Sequence, residues 1–203
     1  MAIKFEDWSE HFNVDWNALE SLLHNELVDV PRATGGYLSG WAVQSHSGDY
    51  RDAWVDGSNF ITKTVDGKLR FDHEAAAKAG FHHKEKQVRL TNICNTALED
   101  LIAQMSRLGL QPMRARLIQL RPGERGSWHV DGKPQVLRMH FVIETNPGCA
   151  FKCEQMVRHM PLHSVLLINV DEYHMVWNDG DTNRTHLVVD VTDTQKLSKV
   201  HSV

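Results

Sequence analysis

Residues 136–144 read VLRMHFVIE, and the same two-residue rhythm returns in RARLIQL at 114–120, SVLLINV at 164–170 and THLVVDV at 185–191. Each run is rich in Val, Ile, Leu or Phe, which suit a pleated, half-buried surface. Between the runs stand Pro122-Gly123, Gly132-Lys133-Pro134, Asn146-Pro147-Gly148 and Asp179-Gly180, residue types whose backbone angles make turns. Short strands and turns at this spacing build a sandwich or small barrel. Residues 113–192 are therefore expected to carry the core of a jelly roll, in a chain that is mainly β with flanking helices.

Ahead of residue 113 the period changes. In DWNALESLLHNEL, Asp15 to Leu27, apolar residues fall at Trp16, Leu19, Leu22 and Leu23, a helical spacing with Asp15 placed to cap it. TNICNTALEDLIAQMSRLGL, 91–110, repeats the pattern through Ile93, Ala97, Leu101, Met105 and Leu108, with a stop at Gly109. The Gly-rich, aromatic stretch between them suggests only short strands around Trp41 to Val43. Residues 1–112 are thus expected to be a helical and irregular part packed on the barrel, within a single domain of 203 residues.

Composition narrows the function. An apolar fraction of 41% and a charged fraction of 24% belong to an ordinary globular protein. A net charge of −4 with scattered Lys and Arg speaks against nucleic acid as a partner. No window approaches the roughly 18 uncharged apolar residues of a membrane span, so a cytoplasmic protein without membrane contact is expected. Cys94, Cys149 and Cys153 leave an odd thiol in any pairing scheme, which fits a reducing compartment. Cys149 and Cys153, with His159 and His163 nearby, match no familiar zinc spacing and read as buried free thiols.

The chemistry gathers in the strand region. One short motif among 13 histidines proves nothing alone. Alternation on a strand, however, sends His129 and Asp131 to one side, and Arg138 and His140 to one side likewise. An acid, two imidazoles and a guanidinium inside a barrel are costly unless they bind something. A third ligand from a later strand, His174 or the runner-up His186, would complete two imidazoles and a carboxylate on one face of a metal, a set suited to Fe(II) and oxygen chemistry.

The segments LRPGERGSWHVDG (120–132), LRMHF (137–141) and HMVWNDGDTNRTHLVVDV (174–191) resemble the aspartyl/asparaginyl β-hydroxylase family and the related proline hydroxylases. In these proteins a Pro-Gly precedes the first iron-binding His, an Arg-x-His follows it, and an Arg stands ten residues after the second His, as Arg184 does after His174. The resemblance covers about 114–191; the first 110 residues match no signature of the family. It implies a double-stranded β-helix and an Fe(II)- and 2-oxoglutarate-dependent dioxygenase that hydroxylates a C–H bond of an amino acid, free or as an Asp/Asn-type residue in a peptide. By resemblance His129, Asp131 and His174 hold the iron. Arg184 anchors the distal carboxylate of 2-oxoglutarate, Arg138 and His140 hold its metal-proximal end, and dioxygen is the second co-substrate.

Two rival functions would leave both arginines idle. One is a metal-binding, cupin-like sensor that does not oxidise anything, and the other is metal-assisted hydrolysis. Blander expectations accompany them. Trp128 and Trp177 read as core packing, Lys152 as solvated, Asn178 with Asp179-Gly180 as a turn, and His46, His82, His83 and His201 as solvated loop or tail residues. A small amino-acid-like substrate would need a cover, for which residues 35–60 are available, with Arg51 or Lys63 as the cation for its carboxylate.

Overall fold

A computed structural model describes residues 5–35, 38–54, 62–65, 68–71, 75, 87–129, 137–170 and 173–193. The strands are β1 (Phe5–Asp7), β2 (Ala33–Gly35), β3 (Leu38–Ala42), β4 (Gln44–Ser45), β5 (Thr62–Val65), β6 (Lys68–Phe71), β7 (Arg89–Leu90), β8 (Leu110–Leu120), β9 (Leu137–Glu144), β10 (Cys149–Cys153), β11 (Met156–Arg158), β12 (Val165–Asn169), β13 (His174–Asn178) and β14 (Arg184–Asp193). A large antiparallel sheet runs β1-β12-β9-β14-β8-β3-β2, and a smaller one runs β11-β10-β13. Val142 and Ile168 of the large sheet pack with Phe151 and Cys153 of the small one, while Ile118, Leu120 and Val188 meet Val176. These contacts close the two sheets into the jelly roll expected of the alternating runs.

The outer face of the large sheet is covered by helices. The first, α1 (Trp16–Ser21), continues as a wider π turn through Leu22–Glu26, and the Asp15 side chain caps it by accepting from the Ala18 amide. The second, α2 (Thr96–Arg107), is capped by Asn95, which accepts from the Leu98 amide at 3.1 Å. It stops at Gly109, whose φ of +81° is the left-handed value that glycine adopts without a Cβ clash. Leu19, Leu22, Leu98, Leu101 and Met105 from these helices bury against Leu117, Met139, Phe141, Leu187 and Val189. Odd-numbered residues of β9 and β14 thus face the helices, and even-numbered ones face the small sheet. None of the helices among the described residues is long and apolar enough to cross a membrane.

The N-terminal part is more than a helical layer. β1 adds to β12 at one edge of the large sheet, pairing Phe5 with Ile168, and β3 adds to β8, pairing Ser39 with Gln119. Residues ahead of 113 therefore supply three of the seven strands and hold the barrel from both edges. One irregularity shapes the interior. Val188 pairs with Arg116 but Asp190 with Met113, so β8 carries an extra residue there. Arg114 sits in that bulge at φ 49°, a conformation that costs a side-chain-bearing residue about 1 kcal/mol, and its amide is taken up by the Gln87 carbonyl at 2.8 Å.

Candidate active site

The space between the sheets is polar where a plain sandwich would be apolar. Arg114, Arg116, Arg138, His140, Arg184, His186 and Asp190 all project from β8, β9 and β14, and all are buried. From the other side His174 enters on β13, with 2% of its surface exposed.

His129 reaches the same space because the chain after Pro122-Gly123 runs along β13. Bridges join Arg125 to Trp177 and His129 to His174. The His129 amide donates to the His174 carbonyl at 3.0 Å and the His174 amide returns the bond at 2.8 Å. This reciprocal pair fixes both backbones and brings the two rings to a centroid separation of 4.4 Å. His129 Nδ1 lies 2.7 Å from the Ser127 carbonyl, which can only accept, so the proton sits on Nδ1 and the lone pair on Nε2. His174 stacks on Phe151, centroids 5.4 Å apart and planes 9° from parallel. Neighbouring imidazoles are a donor type that divalent metals accept. The third expected ligand, Asp131, lies outside the described residues.

Away from this pair the interior becomes cationic. Arg184 opens β14 with 3% exposure, and its Nη2 donates to His186 Nδ1 at 3.2 Å. Among the described residues no carboxylate pairs with it. Burial pushes its pKa down to about 10, so the guanidinium is charged at neutral pH and poorly compensated. The turn that delivers it is fixed. Asn178 Nδ2 donates to the Leu120 carbonyl at 3.0 Å and the Thr182 carbonyl at 2.8 Å, and Asn146 Nδ2 reaches Thr182 O at 2.9 Å. Glycine suits position 180, since a Cβ there would collide with the Asn146 side chain.

His140 stands between the two ends. Its ring meets Phe151 edge-on at 6.0 Å and His186 edge-on at 5.6 Å, with the two Nδ1 atoms 3.3 Å apart. Burial, and next the Arg184 charge, hold both imidazoles well below the usual histidine pKa, so both are neutral. A continuous series of contacts therefore runs from His129 and His174 through Phe151, His140 and His186 to Arg184.

Arg138 is engaged differently. Its Nε and Nη2 each lie 3.0 Å from Asp190 Oδ1, while Arg114 Nε and Nη2 hold Oδ2 at 2.7 and 2.6 Å. Asp190 has no exposed surface, so one buried carboxylate fixes two guanidiniums. Sequence reasoning named neither Arg114 nor Asp190. The available signal was parity, because Asp190 shares its strand face with Arg184 and His186.

Trp128 is not core packing: it is 45% exposed, stacks on the 54% exposed Tyr173 and lies under Lys152 Nζ at 5.4 Å. It points away from the His pair, as alternation requires, but among the described residues no helix covers the outer face of the small sheet. Trp177 is partly buried. Cys149 and Cys153 are buried free thiols and Cys94 is half-buried, its pKa pushed up to about 12, first by burial. His159 Nδ1 bonds the Cys149 carbonyl, and His163 bonds Glu20. Arg51 is exposed and paired with Asp49 within its own turn, and the Lys63 side chain, with His82, His83 and His201, lies outside the described residues.

The chain matches the family described as aspartyl/asparaginyl beta-hydroxylase over residues 70–194. An oxidoreductase of the 2OG-Fe(II) oxygenase family from Burkholderia pseudomallei has a similar fold, with a TM-score of 0.55 at 10% identity over 94% of this chain and 84% of that one. A protein of Thermus thermophilus gives 0.33 at 17% identity, over 40% of this chain and 73% of that one. A predicted oxalate decarboxylase of Thermotoga maritima gives 0.34 at 15%, over 44% and 72%. No curated protein sequence matches.

Proposed function

This chain belongs to the aspartyl/asparaginyl β-hydroxylase family and is an oxidoreductase of that kind, and from that premise we propose its reaction and its site. The enzyme uses Fe(II), 2-oxoglutarate and dioxygen to hydroxylate a C–H bond of an amino acid, free or as an Asp/Asn-type residue of a peptide. The balance is 2-oxoglutarate plus O₂ plus R–H giving succinate, CO₂ and R–OH. His129, Asp131 and His174 hold the iron, which supplies the activation of dioxygen.

The observation that carries this reading is Arg184, a guanidinium buried without a carboxylate partner among the described residues, at the far end of the contacts that lead from His129 and His174. A buried charge left in that state costs several kcal/mol, and the distal carboxylate of 2-oxoglutarate would repay it through two parallel hydrogen bonds. The rest of the chain positions and shields. Phe151 walls the passage between the two ends and keeps water from it. Ser127 holds the His129 ring in its ligating tautomer. His140 lies toward the iron end of the co-substrate, and Arg138, fixed by Asp190, sets the positive potential around its 2-oxo acid group.

The test is production of succinate from 2-oxoglutarate by protein loaded anaerobically with Fe(II), offered free amino acids and Asp- or Asn-containing peptides, with the products weighed for one added oxygen atom. Substrate-stimulated succinate with matching oxygen gain is expected. Iron and 2-oxoglutarate bound without turnover on any of them would favour a sensing module instead.

A further inference from the structure

We infer that His186 is a specificity-determining residue for the co-substrate: its Nε2–H is a second donor, beside Arg184, for the distal carboxylate. The inference rests on the reading of Arg184 given above. It follows from the protons. A guanidinium is a donor only, so His186 Nδ1, 3.2 Å from Arg184 Nη2, has to accept. The His186 proton is therefore on Nε2. The same Nδ1 lies 3.3 Å from His140 Nδ1, so in that contact His140 donates, and its own lone pair is on Nε2.

The two Nε2 atoms are both buried, and neither has a hydrogen-bond partner among the described residues. An N–H left unpaired in the interior costs a large part of its hydration energy, and 0% of His186 is exposed to recover it. The arrangement asks for an acceptor at His186 Nε2, on the strand face that carries Arg184 two residues earlier. A carboxylate held by Arg184 presents a second oxygen and meets that need. Because burial and the neighbouring guanidinium keep the ring neutral, His186 adds a directed bond and not another charge. The site thereby prefers a two-oxygen terminal group to an uncharged chain end.

The experiment is calorimetric titration of 2-oxoglutarate into Mn(II)-loaded protein without oxygen. In His186→Asn the amide oxygen can replace Nδ1 as acceptor for Arg184, but nothing reaches the Nε2 position. Its Kd for 2-oxoglutarate should rise about tenfold to hundredfold, the worth of one hydrogen bond to a charged group, with Mn(II) affinity unchanged. His186→Gln, which returns an N–H near the Nε2 position, should recover most of the loss. Wild-type affinity in His186→Asn overturns the inference. Arg184→Met separates it from the underlying reading: unchanged binding there sinks the placement of the co-substrate itself, whereas Arg184-dependent binding with unaltered His186→Asn sinks only the role of His186. Should His186→Asn not fold, ¹⁵N NMR of the wild-type imidazoles in Zn(II)-loaded protein decides. An Nε2–H tautomer at His186 whose proton moves downfield on adding 2-oxoglutarate is expected, and an Nδ1–H tautomer or an unmoved resonance refutes it.

Discussion

Asp190→Asn should cost the protein more stability than any other single polar substitution in the barrel interior. The carboxylate has no exposed surface, lies 2.7 and 2.6 Å from Arg114 Nε and Nη2, and accepts from Arg138 Nε at 3.0 Å, with Arg138 Nη2 beside it as an ion-pair contact at the same distance. The amide keeps the shape but removes the charge, and one end of it turns a donor toward one of the two guanidiniums. Breaking a buried, hydrogen-bonded ion pair by removing one member costs about 3–5 kcal/mol. For a chain of this length each kcal/mol moves Tm by about 2–4 °C, so a fall of about 6–20 °C is expected. Urea unfolding of the metal-free protein, followed by its tryptophan fluorescence, measures the free energy directly. The triple substitution Arg114→Met, Arg138→Met, Asp190→Leu removes all three charges together and should recover most of the stability, since a packed apolar triad avoids the desolvation cost. It should nonetheless bind 2-oxoglutarate poorly, because Arg138 is gone. A loss below about 1 kcal/mol in Asp190→Asn, or a triple variant no more stable than the single one, would refute the view that this carboxylate holds the two arginines in place.

Arg184→Lys keeps the charge and loses the fork, so KM for 2-oxoglutarate should rise about tenfold or more with iron affinity unchanged; steady-state kinetics at saturating iron reads it. His129→Ala and His174→Ala should each lose tight Fe(II) binding, measured by metal competition, whereas His186→Ala should keep it. Acid should unfold the protein early. His140 and His186 have folded pKa values well below their unfolded value near 6.5, so their contribution is complete above that pH and is lost as pH falls below it. The slope is about 1.4 kcal/mol per pH unit for each imidazole, and unfolding titrations from pH 7 to 5 should show it shrink in His186→Asn. Cys94, its thiol pKa pushed up to about 12, should react with a thiol reagent at pH 8 far more slowly in the native protein than in urea.

Much of this architecture was legible because a strand's period is insensitive to what surrounds it. The runs at 114–120, 136–144 and 185–191 announce β8, β9 and β14, and parity puts Arg138 with His140, and Arg184 with His186, on one face of the strand. α2 ends where its stop, Gly109, requires, but it begins only at Thr96, after the Ile93 with which the helical spacing opened. The edge strands were not legible. β1 is three residues long and exists through its pairing with β12, more than a hundred residues away. No local pattern specifies such a contact.

The same distinction divides the site. Residues whose role follows from spacing along one strand could be read, while those whose role depends on a register shift could not. Arg114 lies where β8 takes in an extra residue against β14, at a left-handed φ of 49°, and its guanidinium joins Arg138 on Asp190. A strict two-residue rhythm contains no hint of that insertion. Trp128 shows the complementary error. Alternation turns it away from its neighbour His129, but whether an outward residue is covered depends on the next layer, and the helices described pack on the large sheet. Alternation thus assigns a side chain to a face, and only the packing of layers decides whether that face is core, pocket or surface. Arg184 is the instructive case. Its face could be read, but the lack of a carboxylate opposite it among the described residues, on which the functional reading depends, is a property of three strands together.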